Sequence, residues 1–142
     1  MFSTISAITL AISLHIIPTQ SLSDRDTFEL CKTSMSGYIE TVNCYTDYID
    51  ALKKSLTTYV DSVNVDLSQP SPPSTVYATA KLHLSVAQTS WRTFVEKDCA
   101  VLGQTFGEGS AFVLAQLDCV IRHYEQRIES IGTSTSLIAP LD

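Results

Sequence analysis

Residues 40–63 read ETVNCYTDYIDALKKSLTTYVDSV. Within them Val42, Tyr45, Ile49, Leu52, Leu56, Tyr59 and Val63 recur at spacings of three and four without a miss. That is the period of one face of an α-helix. Glu40, Asp47, Lys53, Lys54 and Asp61 fall on the other face, where a helix meets water. The pattern predicts a long helix starting near Ser36. It must end before the run Ser68-Gln-Pro70-Ser-Pro72-Pro73-Ser74, because proline offers no amide donor and restricts the residue before it. This run is a stiff linker.

Two more helical patterns follow. From about Thr75 to Leu102 the apolar positions are Ala80, Leu84, Ala87, Trp91, Phe94 and Val101, interrupted at Asp98. Gly103, Gly107 and Gly109 then mark an irregular connection. Ser110 is a suitable N-cap for a third helix, whose stripe is Leu114, Leu117, Ile121, Tyr124, Ile128 and Ile131. Gly132 reads as its C-terminal stop. No segment alternates with period two for long enough to form a strand. The predicted fold is all-α: a three-helix arrangement with a long first helix, stapled by two disulfides.

The staples come from Cys31, Cys44, Cys99 and Cys119. An even number of cysteines in a short exported chain points to disulfides. Metal sites use close pairs such as C-x-x-C, and no gap here is that short, so no metal site is expected. Cys44, Cys99 and Cys119 lie off the apolar stripes, and Cys31 precedes the first helix on a short arm. The simplest staples fold that arm onto Cys44 and fix the glycine-rich connection through Cys99 and Cys119. This favours 31–44 with 99–119 over the other two pairings and places both bonds away from the helix seam. Each closed loop adds about 3 kcal/mol in the loop-entropy model, against a typical net stability of ~5–15 kcal/mol.

The export expectation rests on the N-terminus. Phe2 to Gln20 holds no Asp, Glu, Lys or Arg, and Ile5 to Ile17 is an apolar run shorter than the ~20 residues of a membrane span. Pro18 and then Ser21-Leu-Ser23 complete a signal-peptide pattern, so residues 1–23 are read as a signal peptide. Residues 24–132 are then a helical disulfide-bonded domain and 133–142 a flexible tail. The n-region has no basic side chain, and an uncleaved anchor is the competing reading. The expected location is periplasmic or secreted, with no membrane contact after cleavage.

The 142-residue chain carries nine Lys and Arg against fifteen Asp and Glu, a net charge of −6. An acidic balance argues against nucleic acid and anionic membranes as partners and favours a basic protein.

Catalytic groups are sparse. His83 and His123 lie on helical runs near no cysteine cluster, and no serine sits in a glycine-flanked elbow. Glu96 and Asp98 diverge on a helix, and Glu125 and Glu129 share a face with Arg122 close by, an ordinary ion-pairing pattern. Residues 103–110, GQTFGEGS, lack the Gly-Lys-[Ser/Thr] ending and preceding strand of a phosphate loop. They read instead as a protruding loop of the shape inhibitors present to an enzyme cleft. Trp91, on the stripe, reads as a packing residue. No enzyme activity and no cofactor are expected.

Gln88, Trp91 and Phe94 followed by Cys99 resemble the Q-x-x-W-x-x-[YF]…C signature of the LprI-type lysozyme-inhibitor N-terminal domain family. Gly107-Glu-Gly109-Ser110 looks like its Gly-Gly-Ser region. Cys119, Arg127 and Ile131 match its C-x7-R-x3-hydrophobic ending, and the likeness covers residues 31–131. Val95 stands where the family usually has arginine, and Tyr124 where it has threonine. The resemblance implies an exported, helical, disulfide-bonded binding domain. Its partner would be a basic lysozyme or, alternatively, another envelope protein. The matching residues look structural, so the resemblance carries over no functional site.

Overall fold

The computed structural model describes residues 20–71, 73 and 75–135. They form four helices, α1 (Gln20–Ser34), α2 (Tyr38–Asp66), α3 (Tyr77–Thr105) and α4 (Ser110–Thr135), with no strand among the described residues. The fold is all-α, but with four helices and not three. The predicted arm carrying Cys31 is itself helical. Phe28 and Cys31 are too few apolar positions to register as a stripe, and α1 exists because those two side chains pack on α2. Of the predicted signal peptide, residues 1–19 lie outside the described residues, and the boundary after Ser23 falls within α1. α4 continues through Gly132 to Thr135, so the predicted stop does not end it, and residues 136–142 of the predicted tail lie outside the described residues.

The long first pattern is α2. Ile49, Leu52, Leu56 and Val63 are buried as the stripe requires, joined by Cys44 and Tyr48 on its flank. α4 occupies the middle of the molecule, packing against both α2 and α3, while α1 packs on α2 and its Arg25 reaches across to Glu125 of α4. Tyr48 meets Glu125 and Tyr59 approaches Gly132, so α2 and α4 run parallel. Cys99 meets Cys119 and Gln88 meets Arg127, so α3 runs antiparallel to α4. α1 is antiparallel to α2, with Phe28 stacked on Tyr48 at 4.6 Å and edge-on to Tyr45 at 5.0 Å. These directions put the α1–α2 and α3–α4 connections at one end, the head. The α2–α3 linker lies at the other, where Lys81 donates to Ser68 and the Tyr77 amide to Ser71.

The core is continuous along α4. Phe28, Cys44, Tyr48, Ile49, Leu52 and Ile121 form its first part. Leu56, Val63, Leu67 and Ile131 extend it toward the linker. Val95, Cys99 and Cys119 fill the α3 side. At ~1.5–3 kcal/mol for each large apolar side chain fully buried, this burial dominates the stability.

α3 is rotated relative to the predicted stripe. Gln88, Val95, Cys99 and Gly103 are its buried residues, whereas Phe94 and Val101 face outward, 54% and 64% exposed. Gly103 is helical and not part of the connection. A Cβ there would lie 3.3 Å from both Gln116 and Phe112, so glycine lets the two helices approach closely just below the turn.

One polar network crosses three helices. The Tyr48 hydroxyl donates to Glu125 Oε1 at 2.8 Å, and Arg25 Nη1 reaches the same oxygen at 2.9 Å. Arg25 is more than half exposed, so its ion pair contributes little. Tyr48 matters more, because burial, then the hydrogen bond to Glu125 and its charge, raise the phenol pKa above its ordinary value. The fold therefore favours neutral Tyr48. That preference is fully present below about pH 10 and is lost as the pH climbs toward the raised value. Tyr48→Phe should cost about 1–2 kcal/mol near neutral pH and should flatten the alkaline fall in stability, as read by urea unfolding at neutral and alkaline pH. An unchanged alkaline limb in the variant would contradict this assignment.

Candidate functional site

The helix pair α3–α4 and the turn that joins them hold the chemistry. The face of α4 toward α3 consists of Phe112, Gln116, Cys119, His123 and Arg127, spaced by three and four, most of them polar. This polarity is what makes the face look solvated in the sequence. Each polar member instead finds a partner on α3 or sits against it.

Nearest the linker end, Arg127 Nε donates to Gln88 Oε1 at 2.8 Å, and its guanidinium lies 5.8 Å from the Trp91 ring. Trp91 is half-buried and meets Tyr124 edge-on at 4.9 Å. Partial burial lowers the Arg127 pKa from its ordinary value, while Gln88, only 9% exposed, supplies an acceptor for the half-buried guanidinium. Gln88, Trp91 and Arg127, the signature residues, thus form one contact between two helices. No apolar stripe shows this contact, and the signal that could have found it is the pairing of a lone glutamine on one helix with a lone arginine on the next.

Midway along, Cys99 and Cys119 are joined, Cα atoms 5.5 Å apart, with Cys99 fully buried. This bond lies in the α3–α4 seam, which corrects the expectation that the staples avoid it. A buried cysteine behaves as a small apolar residue, so a stripe of aliphatic and aromatic residues does not include it. Cys31 and Cys44 join α1 to α2 with Cα atoms 5.9 Å apart.

Beside the seam bond, His123 Nε2 lies 2.8 Å from Asp98 Oδ2, and Phe94 meets the imidazole edge-on at 5.4 Å. His123 is therefore next to two cysteines, contrary to the reading from the sequence. The four ligand atoms of Asp98, Cys99, Cys119 and His123 lie within 4.8 Å of one another. A shallow depression lined by Asp98, Leu102, Thr105, Cys119, Arg122 and His123 opens this cluster to solvent. His83 stands exposed on α3, away from this cluster. Glu125 is engaged by Tyr48 and Arg25, not by a reactive partner.

At the head, α3 ends on Phe106, and the chain turns through Gly107 at φ 80° and Gly109 at φ 101° before α4 begins at Ser110. Both angles lie in the left-handed region that favours glycine. Phe106 is 57% exposed and Glu108 is exposed beside it. At the same end, the first turn exposes Met35, Tyr38 and Ile39. Apolar side chains thus project from both connections of the head.

The Gln88–Arg127 contact can be tested by a double-mutant cycle. Gln88→Ala and Arg127→Ala should each destabilise the protein, with a coupling of about 1–3 kcal/mol in chemical denaturation. Strictly additive losses would show that the two side chains do not depend on each other.

Comparison with known proteins adds one finding: the family model described as lysozyme inhibitor LprI matches residues 31–130. No curated protein and no solved structure matches the chain. The match takes in α2, α3 and α4 as far as residue 130, together with all four cysteines and the Gln88, Trp91 and Arg127 contact. The chain belongs to the LprI lysozyme-inhibitor family.

Proposed function

We propose that the protein is an exported, non-catalytic binding protein that engages a lysozyme with its head. The observation that carries this reading is the exposure of Phe106 and Glu108 on a turn of two left-handed glycines, cross-linked below by Cys99–Cys119. A held loop loses little conformational freedom on binding, and an apolar side chain with an acid beside it suits the cleft of a basic enzyme. Met35, Tyr38 and Ile39 from the first turn would widen the contact, since aromatic and apolar side chains dominate interface energies.

Charge supports the same partner. Asp24, Asp26, Glu29, Glu40, Asp47 and Asp50 lie on α1 and the first half of α2, against only Arg25 and Lys32. A field of that sign speeds encounter with a basic partner more than it tightens the complex. The disulfides fit an oxidising compartment, and the family likeness supports the same reading. No described helix is long and apolar enough to cross a membrane. We assign residues 1–23 to a signal peptide and 24–132 to the binding domain.

A second reading, an envelope-associated module with another protein target, is favoured by a row of exposed apolar side chains on the outer face of α3, Leu82, Val86, Phe94 and Val101.

The deciding measurement is hydrolysis of cell walls by lysozyme in the presence of the oxidised protein. Inhibition should weaken as salt rises, because screening shortens the reach of the acidic field. Phe106→Ala should weaken inhibition by more than about tenfold, the effect of losing an apolar anchor worth ~2 kcal/mol, with helicity unchanged. If no lysozyme class is inhibited at micromolar protein and cell-envelope extract yields a partner held by α3, the second reading replaces the first.

A further inference from the structure

The two disulfides differ in what surrounds them. Cys31–Cys44 has no histidine or acid grouped with it, among the described residues, that would complete a metal-ligand set. Cys99–Cys119 has both. Cys119 and His123 stand one turn apart on α4, and Asp98 precedes Cys99 on α3. Their ligand atoms lie within 4.8 Å of one another. Two sulfurs, one imidazole nitrogen and one carboxylate oxygen make a complete tetrahedral donor set for zinc. Of the common divalent ions, zinc best tolerates sulfur and oxygen together in that geometry.

We propose that reduction of Cys99–Cys119 turns this cluster into a zinc site of two thiolates, His123 and Asp98, so that a metal replaces the covalent bond between α3 and α4. A dithiol reductant passes two electrons to the disulfide and leaves as its own disulfide, while Cys99 and Cys119 take up two protons. Zinc then displaces those protons to solvent. Two thiolates against one dication leave the local charge as it was in the oxidised protein.

The geometric demand falls mainly on the two sulfurs, whose side chains must rotate apart from bonding distance to roughly 3.8 Å once reduced. Ligand atoms on one zinc stand about 3.3–3.8 Å apart, given bonds of ~2.0–2.3 Å. His123 Nε2 and Asp98 Oδ2, now 2.8 Å apart, need to open by about half an ångström to admit the ion between them, given those same bond lengths. The edge of Phe94 holds the imidazole in place. Cys99 is fully buried, so the ion must enter from the depression on the Asp98 and His123 side. Arg122 also lines that entrance, but Asp118 holds its guanidinium at 3.4 Å.

The test uses the full chain, reduced with a phosphine and titrated with cobalt(II) and then zinc(II), beside the oxidised protein. The reduced chain should bind one equivalent of cobalt with tetrahedral visible bands and sulfur-to-cobalt charge transfer, and the oxidised chain should show neither. Zinc should displace the cobalt. His123→Ala and Asp98→Asn change partly exposed side chains and should leave the helicity intact. Each should weaken zinc binding by at least the roughly 10–100-fold that loss of an outer-shell partner costs. A chain with Cys31→Ser and Cys44→Ser should keep the cobalt spectrum. The proposal is overturned by a cobalt spectrum without sulfur bands. Zinc affinity unchanged in both His123→Ala and Asp98→Asn would also overturn it, as would loss of the spectrum in a Cys31→Ser, Cys44→Ser chain that still folds.

Discussion

The structure depends on α4 having two packed faces. A surface helix buries one stripe, and its remaining positions answer to water. α4 instead lies between α2 and α3, giving Leu117, Ile121, Ile128 and Ile131 to one neighbour and Cys119, His123 and Arg127 to the other. α3 has little other support, since its packing is directed mainly at α4. The α3 side of α4 carries polar groups, and each must be met, because an unpaired polar group in the seam would cost more than the packing returns. Gln88, Asp98 and Cys99 meet them, and no buried side-chain nitrogen or oxygen among the described residues lacks a partner.

This arrangement explains which parts of the fold are legible in the sequence. α2 and the α2-facing side of α4 use aliphatic residues, so Ile49, Leu52, Leu56, Val63, Ile121 and Ile131 announce themselves by period alone. α3 does not. Its buried face runs through Gln88, Val95, Cys99 and Gly103, of which only valine counts as a core residue in a pattern search. The exposed Phe94 and Val101 then draw the predicted stripe to the wrong side. α1 is silent for a related reason: one phenylalanine and one cysteine hold it, and its stability is borrowed from α2. At the candidate site the glycine turn is visible in the sequence, whereas the approach of His123 to Cys99 depends on an antiparallel register that no local pattern encodes.

The departures from the family pattern fit the same account. Val95, where arginine is usual, is 4% exposed and packs with Cys99 and Cys119. Tyr124, where threonine is usual, supplies the ring that Trp91 meets edge-on. Both replacements make the seam more apolar around the contact between Gln88 and Arg127. This chain therefore seals with side-chain volume a region where the family pattern places polar groups.

The parallel course of α2 and α4 has a mechanical consequence. It sets the two disulfides at the same level, with Val120 packed against both core clusters that contain them. Both disulfides are gathered toward the head, while the far half, around Leu56, Val63, Leu67 and Ile131, is held by packing and hydrogen bonds without a covalent cross-link. Opening free energies should therefore fall along the long axis, with amides near the linker exchanging through local fraying and those between the staples only through global unfolding. The molecule is hinged like a peg, closed at the jaws and able to breathe at the handles. Thermal motion can be absorbed at the end away from the exposed turn of the head.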